Sequence, residues 1–204
     1  MNVTSHGEHG YHLSCRKLIE KLEQKYQLEN LTKKSSPMVD RKYIHQDLVP
    51  LKQNGKETTA FKTYRSILGA VGFMYVACRP DIGFACKRLQ QNMSNPLYGH
   101  WKDLLHLVAY LQSTKDEGIT ITGDWEEDEN MLNGFSDSSY GDCPDKSSSY
   151  GYVIYWGSDI ILYKASTTTT IVRSSCEAEL YAVDCCLLAM IPLIRMLKDF
   201  KVYT

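Results

Sequence analysis

The spacing of the apolar residues changes once along this chain, from helical before about residue 118 to alternating after about residue 130. That change limits the fold more than any other feature. In residues 13–26, Cys15, Leu18, Ile19, Leu22 and Tyr26 recur at helical intervals with charges between them, which predicts an amphipathic helix. Residues 33–59 mix Ser, Pro, Asn, Gly and charge and read as an extended connection. Residues 63–92 predict two helices, because Pro80 within Arg79-Pro80-Asp81 removes a backbone donor and ends the first of them. Ser94-Asn95-Pro96 then opens a further helix to Ser113, and Gly118 closes the helical region.

Past the acidic stretch 124–129, three Tyr-rich and β-branched segments (133–140, 149–157 and 159–164) predict strands in meander order, with Gly157-Ser158-Asp159 as a hairpin link. Ser175 is expected to cap a last helix that runs to about Asp199 and is kinked at Pro192. Helices first and strands afterwards predict an α+β fold, with a helical segment at residues 1–122 and a second domain at 130–204.

The balance of 43% hydrophobic and 23% charged residues over 204 positions excludes a disordered tail, a fibre and a coiled coil. The uncharged apolar stretch 66–78 has 13 residues, short of the roughly 18–20 that span a bilayer, so no membrane partner is expected. The polar first dozen residues resemble no secretory signal, and a cytoplasmic or nuclear location follows as the expectation. Seven cysteines without a CxxC pair read as small reduced apolar residues. Charge is divided: residues 1–120 carry 17 Lys and Arg against 11 Asp and Glu, whereas residues 121–204 carry 6 against 13. A basic front half suits a polyanion and an acidic rear half suits divalent cations, although solvated surface explains either.

Two carboxylates stand out. Asp137 ends Gly134-Phe135-Ser136-Asp137 on the first predicted strand, and Glu179 lies in Ser174-Ser175-Cys176-Glu177-Ala178-Glu179 at the start of the last helix. A meander followed by a returning helix brings such positions together, where two carboxylates repel unless a cation lies between them. Mg²⁺ takes oxygen ligands, and paired ions roughly 4 Å apart support phosphodiester hydrolysis. Capping and surface roles account for the same residue types equally well. Lys33, Lys34, Arg41 and Lys42 form a basic cluster suited to phosphate contacts or to plain solvation. His6, His9 and His12 have a metal-like spacing, but Gly7 and Gly10 argue for a mobile terminus or strand entry. The threonines at 167–170 suit either backbone contacts to nucleic acid or strand propensity.

Tyr64-Arg65-Ser66-Ile67-Leu68-Gly69, Arg79-Pro80-Asp81-Ile82, Met93-Ser94-Asn95-Pro96 and His100-Trp101 resemble the region after the polymerase palm in copia-type LTR retrotransposon Pol polyproteins. Gly134-Phe135-Ser136-Asp137, Lys146-Ser147-Ser148-Ser149-Tyr150-Gly151-Tyr152 and the Ser174–Glu179 sequence resemble the start of that family's ribonuclease H domain. The resemblance implies a reverse transcriptase thumb and connection at 1–122 and the N-terminal part of a ribonuclease H-like domain, three strands plus a helix, at 130–204. It further implies that Asp137 and Glu179 match catalytic Mg²⁺ ligands and that the partner is an RNA:DNA hybrid or other nucleic acid. Ser139 replaces the family's second aspartate in the first motif, its later aspartates find no match, and the chain has no Asp-Asp pair for polymerisation. The expectation is therefore a polymerase fragment, not competent alone as a nuclease. The alternative is a non-catalytic module that binds nucleic acid or retroelement proteins. An incomplete sheet also predicts self-association through its exposed edge.

Overall fold

A computed structural model describes residues 1–39, 48–53, 55–122, 132–143 and 145–200. These divide into two compact units: Met1–Thr4 with His12–Ile119, and Ser5–Tyr11 with Thr120–Thr204. Among the described residues the elements mix five α-helices with three small sheets, an α+β composition.

In the first unit, α1 (Arg16–Tyr26) turns Ile19 and Leu22 inward. α2 (Thr59–Cys78) starts where the Thr58 hydroxyl accepts from Phe61 N at 3.1 Å, which satisfies one of the helix's unpaired donors. Its buried residues Phe61, Tyr64, Ile67, Leu68, Val71 and Met74 recur at the intervals that keep one face inward. A 3₁₀ turn (Pro80–Ile82) separates α2 from α3 (Gly83–Gln91), as the proline requires. α4 (Tyr98–Ser113) contributes Leu104, Leu107, Val108 and Leu111 to the same interior.

Strand pairing occupies the N-terminal segment, where Gly7 and Gly10 allow either a mobile terminus or strand entry, and extends into segments 52–57 and 118–121, where the sequence predicts none. β1 (Asn2–His6), β2 (Gly10–Ser14) and β5 (Gly118–Ile121) form a three-stranded sheet in the order β1-β2-β5, and β3 (Lys52–Gln53) pairs with β4 (Lys56–Glu57). Gly118 therefore starts a strand as well as ending the helical region. These strands are two to five residues long, too short for alternation to stand out, so their signal is lost in the sequence. β2 also takes residues 13 and 14, so α1 begins later than its periodicity predicts.

In the second unit, β6 (Leu132–Ser139), β7 (Ser149–Trp156) and β8 (Asp159–Thr167) form an antiparallel meander in the order β6-β7-β8. α5 (Ser175–Asp199) packs on one face of it, burying Tyr150, Tyr152 and Ile154 against Ala182 and Cys186. α5 continues through Pro192 as one helix. Its N-cap is Ser174, one residue before the predicted Ser175: the Ser174 hydroxyl accepts from Glu177 N at 3.1 Å, and the Glu177 carboxylate accepts from Arg173 N at 2.6 Å. Ser174→Ala is expected to lower stability by about 1 kcal/mol, read as a shift in denaturant midpoint at unchanged slope.

Length and composition also make α5 a helix able to cross a membrane. A count of uncharged residues passes over it because Asp184 and Arg195 interrupt the run.

Candidate functional site

Asp137 sits on β6 with its Cα opposite Gly151 of β7. Directly paired residues share a face of an antiparallel sheet and successive residues alternate between faces. Gly134 faces α5, because a Cβ there would come within 2.8 Å of Cys186 Sγ and Met190 Sδ. Ser136 and Ser138, paired with the helix-facing Tyr152 and Tyr150, share that face. Asp137 therefore lies on the opposite face, with Phe135, which is 63% exposed and meets the Tyr155 ring edge-on at 5.8 Å. Glu179 is an exposed residue of α5, on the other side of the sheet. The two carboxylates are not brought together, and no group of three potential ligands among His, Cys, Asp and Glu occurs among the described residues. This donor set does not fit a Mg²⁺ centre, and no hydrolytic step is derived through one.

The Lys146–Tyr152 motif has a structural task. Ser147, Ser148 and Ser149 are buried at the entrance to β7. Asp142 accepts from Ser149 N at 2.8 Å and from its hydroxyl at 2.7 Å, Asp145 accepts from Ser147 N at 3.1 Å, and Gly141 N donates to the Ser148 hydroxyl at 2.9 Å. The Asp142 and Asp145 carboxylates and the Ser148 hydroxyl thereby accept from backbone N–H groups of the tight connection between β6 and β7. Thr168 belongs to the same arrangement: Ser148 N donates to its hydroxyl at 3.1 Å, and Thr168 N donates to Ser148 O at 2.8 Å. Thr169 Oγ1 lies 3.2 Å from the Tyr181 hydroxyl. At least two of the four threonines are thus engaged within the fold.

Of the basic cluster, Lys33 is exposed and Lys34 donates its backbone N–H to Ser113 Oγ at 3.1 Å, while Arg41 and Lys42 lie outside the described residues. His12 Nε2 lies 2.9 Å from Asp116 O.

The Arg79-Pro80-Asp81 motif does more than end a helix. The Arg79 side chain is 1% exposed; Nε and Nη2 donate to the two Asp81 oxygens at 2.9 and 2.7 Å. Nη1 reaches Thr114 O at 2.9 Å and Nη2 reaches Thr114 Oγ1 at 2.7 Å, while Tyr110 OH donates to Asp81 Oδ2 at 2.9 Å. The bidentate pair joins Arg79 to Asp81 at the end of α2, and the bonds to Thr114 and from Tyr110 tie that pair to the end of α4. Burial pushes the Asp81 carboxyl up, but the hydrogen bonds and charge of Arg79, with the Tyr110 hydroxyl, outweigh it and leave the group below the usual carboxylate range. Next to this cluster, Cys15 Sγ and Cys78 Sγ lie 3.1 Å apart. The hydrogen bond from Cys78 brings the Cys15 thiol down to about 7 against the opposing effect of burial, and the Cys78 thiol moves up. His100, buried at the start of α4, accepts from Leu97 N at Nδ1 (3.0 Å), and burial lowers its pKa.

No family model matches the chain. It is 35% identical over 121 residues to the retrovirus-related Pol polyprotein from transposon RE2 of Arabidopsis thaliana, covering 59% of this chain and 8% of that protein. It is 25% identical over 192 residues to the corresponding polyprotein from transposon TNT 1-94 of Nicotiana tabacum, covering 94% of this chain and 14% of that protein. This chain is a homologue of retrovirus-related transposon Pol polyproteins. It spans about a tenth of the length of those Pol relatives. Secreted RxLR effector protein 161 of Plasmopara viticola is 31% identical over 122 residues, which cover 59% of this chain and 84% of the effector. No solved structure matches the chain.

Proposed function

We propose that this Pol homologue derives from the reverse transcriptase thumb and connection together with the N-terminal part of a ribonuclease H domain, and that it does not cleave RNA:DNA hybrids by itself. The observation that carries the reading is the order of β6, β7, β8 and α5, with Asp137 on the first strand and Glu179 in the second turn of the helix. That is the order the resemblance implies for the two carboxylates. Their separation onto opposite sides of the sheet supports incompetence, since hydrolysis of this kind needs ligands that converge on shared ions.

A second reading, a non-catalytic module that binds nucleic acid or element-encoded proteins, draws on the match to 84% of a protein named as an effector. Lys33, Lys34, Arg41 and Lys42 are the residues assigned to nucleic acid in that reading. Each phosphate contact would weaken with added salt.

A labelled RNA:DNA hybrid incubated with the chain and Mg²⁺ or Mn²⁺ separates the outcomes. The expected result is no cleavage above that of Asp137→Asn. Cleavage that Asp137→Asn abolishes would overturn the proposal. Salt-dependent retention of intact hybrid, lost when the four basic residues are neutralised, would favour the second reading.

A further inference from the structure

α5 buries only Ala178, Ala182 and Cys186 fully and turns a second apolar stripe outward. Leu180, Val183, Leu187 and Ile191 are 64, 43, 53 and 43% exposed, and Ile194 continues the stripe half-buried. The intervals between these five residues are three, four, four and three. Their average of 3.5 is the repeat that keeps one seam of a helix facing a partner helix.

The series also reads the same from both ends about Leu187, which is the midpoint of Ser175–Asp199. A second copy of α5 laid antiparallel with its Leu187 on the first Leu187 sets Leu180 opposite Ile194 and Val183 opposite Ile191. Such a pairing is isologous: one patch serves both copies and the contact closes on itself.

Charge along one flank of the seam selects this direction. Glu177, Asp184, Arg195 and Lys198 are exposed and follow one another at intervals of seven, eleven and three residues, which keeps them on the same side of the helix. The strip runs from acidic to basic. Antiparallel copies bring the two strips to the same side of the interface and place Glu177 between Arg195 and Lys198 of the other copy, whereas parallel copies carry the strips on opposite sides and leave them unpaired. Glu177 uses Oε2 to accept from Arg173 N and keeps its second oxygen for such a pair.

We propose that α5 is a homodimerisation helix that pairs antiparallel with a second copy of this chain about Leu187. This places self-association on the helix face rather than on the sheet edge that the sequence implies, and it does not depend on the nuclease reading.

Sedimentation equilibrium of the whole chain at about 50 µM, in a Cys176→Ser background that removes the exposed thiol of α5, is expected to give twice the 23.3 kDa chain mass. Leu187→Cys is expected to form a disulfide-linked dimer under mild oxidation. Leu180→Cys is expected to link only when mixed with Ile194→Cys. Leu187→Glu places two carboxylates on the dyad and is expected to give a monomer with unchanged circular dichroism. Glu177→Lys is expected to raise the dimer dissociation constant about tenfold. A monomeric parent chain would overturn the proposal, as would a dimeric Leu187→Glu, or Leu180→Cys linking to itself as readily as Leu187→Cys. A monomer that floats with phosphatidylcholine vesicles would overturn it too and assign the face to lipid.

Discussion

Arg79→Ala is expected to lower the stability of the first unit by about 3 kcal/mol, the lower end of the range for removing one partner of a buried ion pair. The lower end applies because the Asp81 side chain is 32% exposed, so water reaches the carboxylate that the substitution strands. The loss has three sources: the bidentate pair with Asp81, the hydrogen bonds to Thr114 O and Oγ1, and the packing of the guanidinium over the Tyr110 ring at 5.6 Å. Arg79→Lys keeps the charge and loses the fork, so it falls between. Tyr110→Phe removes only the hydroxyl bond to Asp81 and is expected to cost about 1 kcal/mol.

The same cluster has a pH signature. Asp81 titrates below its usual range in the folded chain, so the folded state binds this proton less tightly than the unfolded state does. Its contribution is complete above the unfolded value of about 3.9 and is lost as pH falls through the lower folded value. Urea midpoints measured across that acid range are expected to fall less steeply in Arg79→Ala than in the parent, because the partner that holds the carboxyl down is gone.

Gly118→Ala is the second substitution of large effect. A Cβ at Gly118 would overlap Leu13 O, and Leu13 C and Ser14 Cα follow at 2.9 and 3.2 Å. All three are backbone atoms of β2, so no side-chain rotation relieves the overlap and the pairing of β5 with β2 must open. The expected cost is about 3 kcal/mol or more, with faster amide exchange in β2 and β5. Gly69→Ala is the matched control. Gly69 lies in the exposed face of α2 with open space around its Cβ position, and Ala there is expected to stabilise by about 0.5–1 kcal/mol.

The helices and the meander were legible in the sequence because their signals are local. One face of α2 repeats over twenty residues, and Tyr150, Tyr152, Ile154 and Trp156 alternate along β7. The sheet of β1, β2 and β5 was not legible: β5 follows its partner β2 by about a hundred residues, and Gly10 and Gly118 are there so that the chains can approach closely, a requirement that leaves no apolar pattern. Pro80 announced a helix end, but the reach of Arg79 to Thr114 depends on how α2 and α4 pack, which no spacing encodes.

The acidic site was half legible. The residue types and their order along β6 and α5 could be read, whereas the side of the sheet that Asp137 takes depends on the register of Asp137 against Gly151. A one-residue change of register would have reversed it.

Backbone amide spectra recorded during a Mn²⁺ titration test the separation of the two carboxylates most directly. The paramagnetic ion broadens only signals near it, and separated carboxylates predict weak, independent broadening around positions 137 and 179, with neither affected by substitution of the other. Saturable broadening of both segments together, abolished at both by Asp137→Asn, would contradict the account.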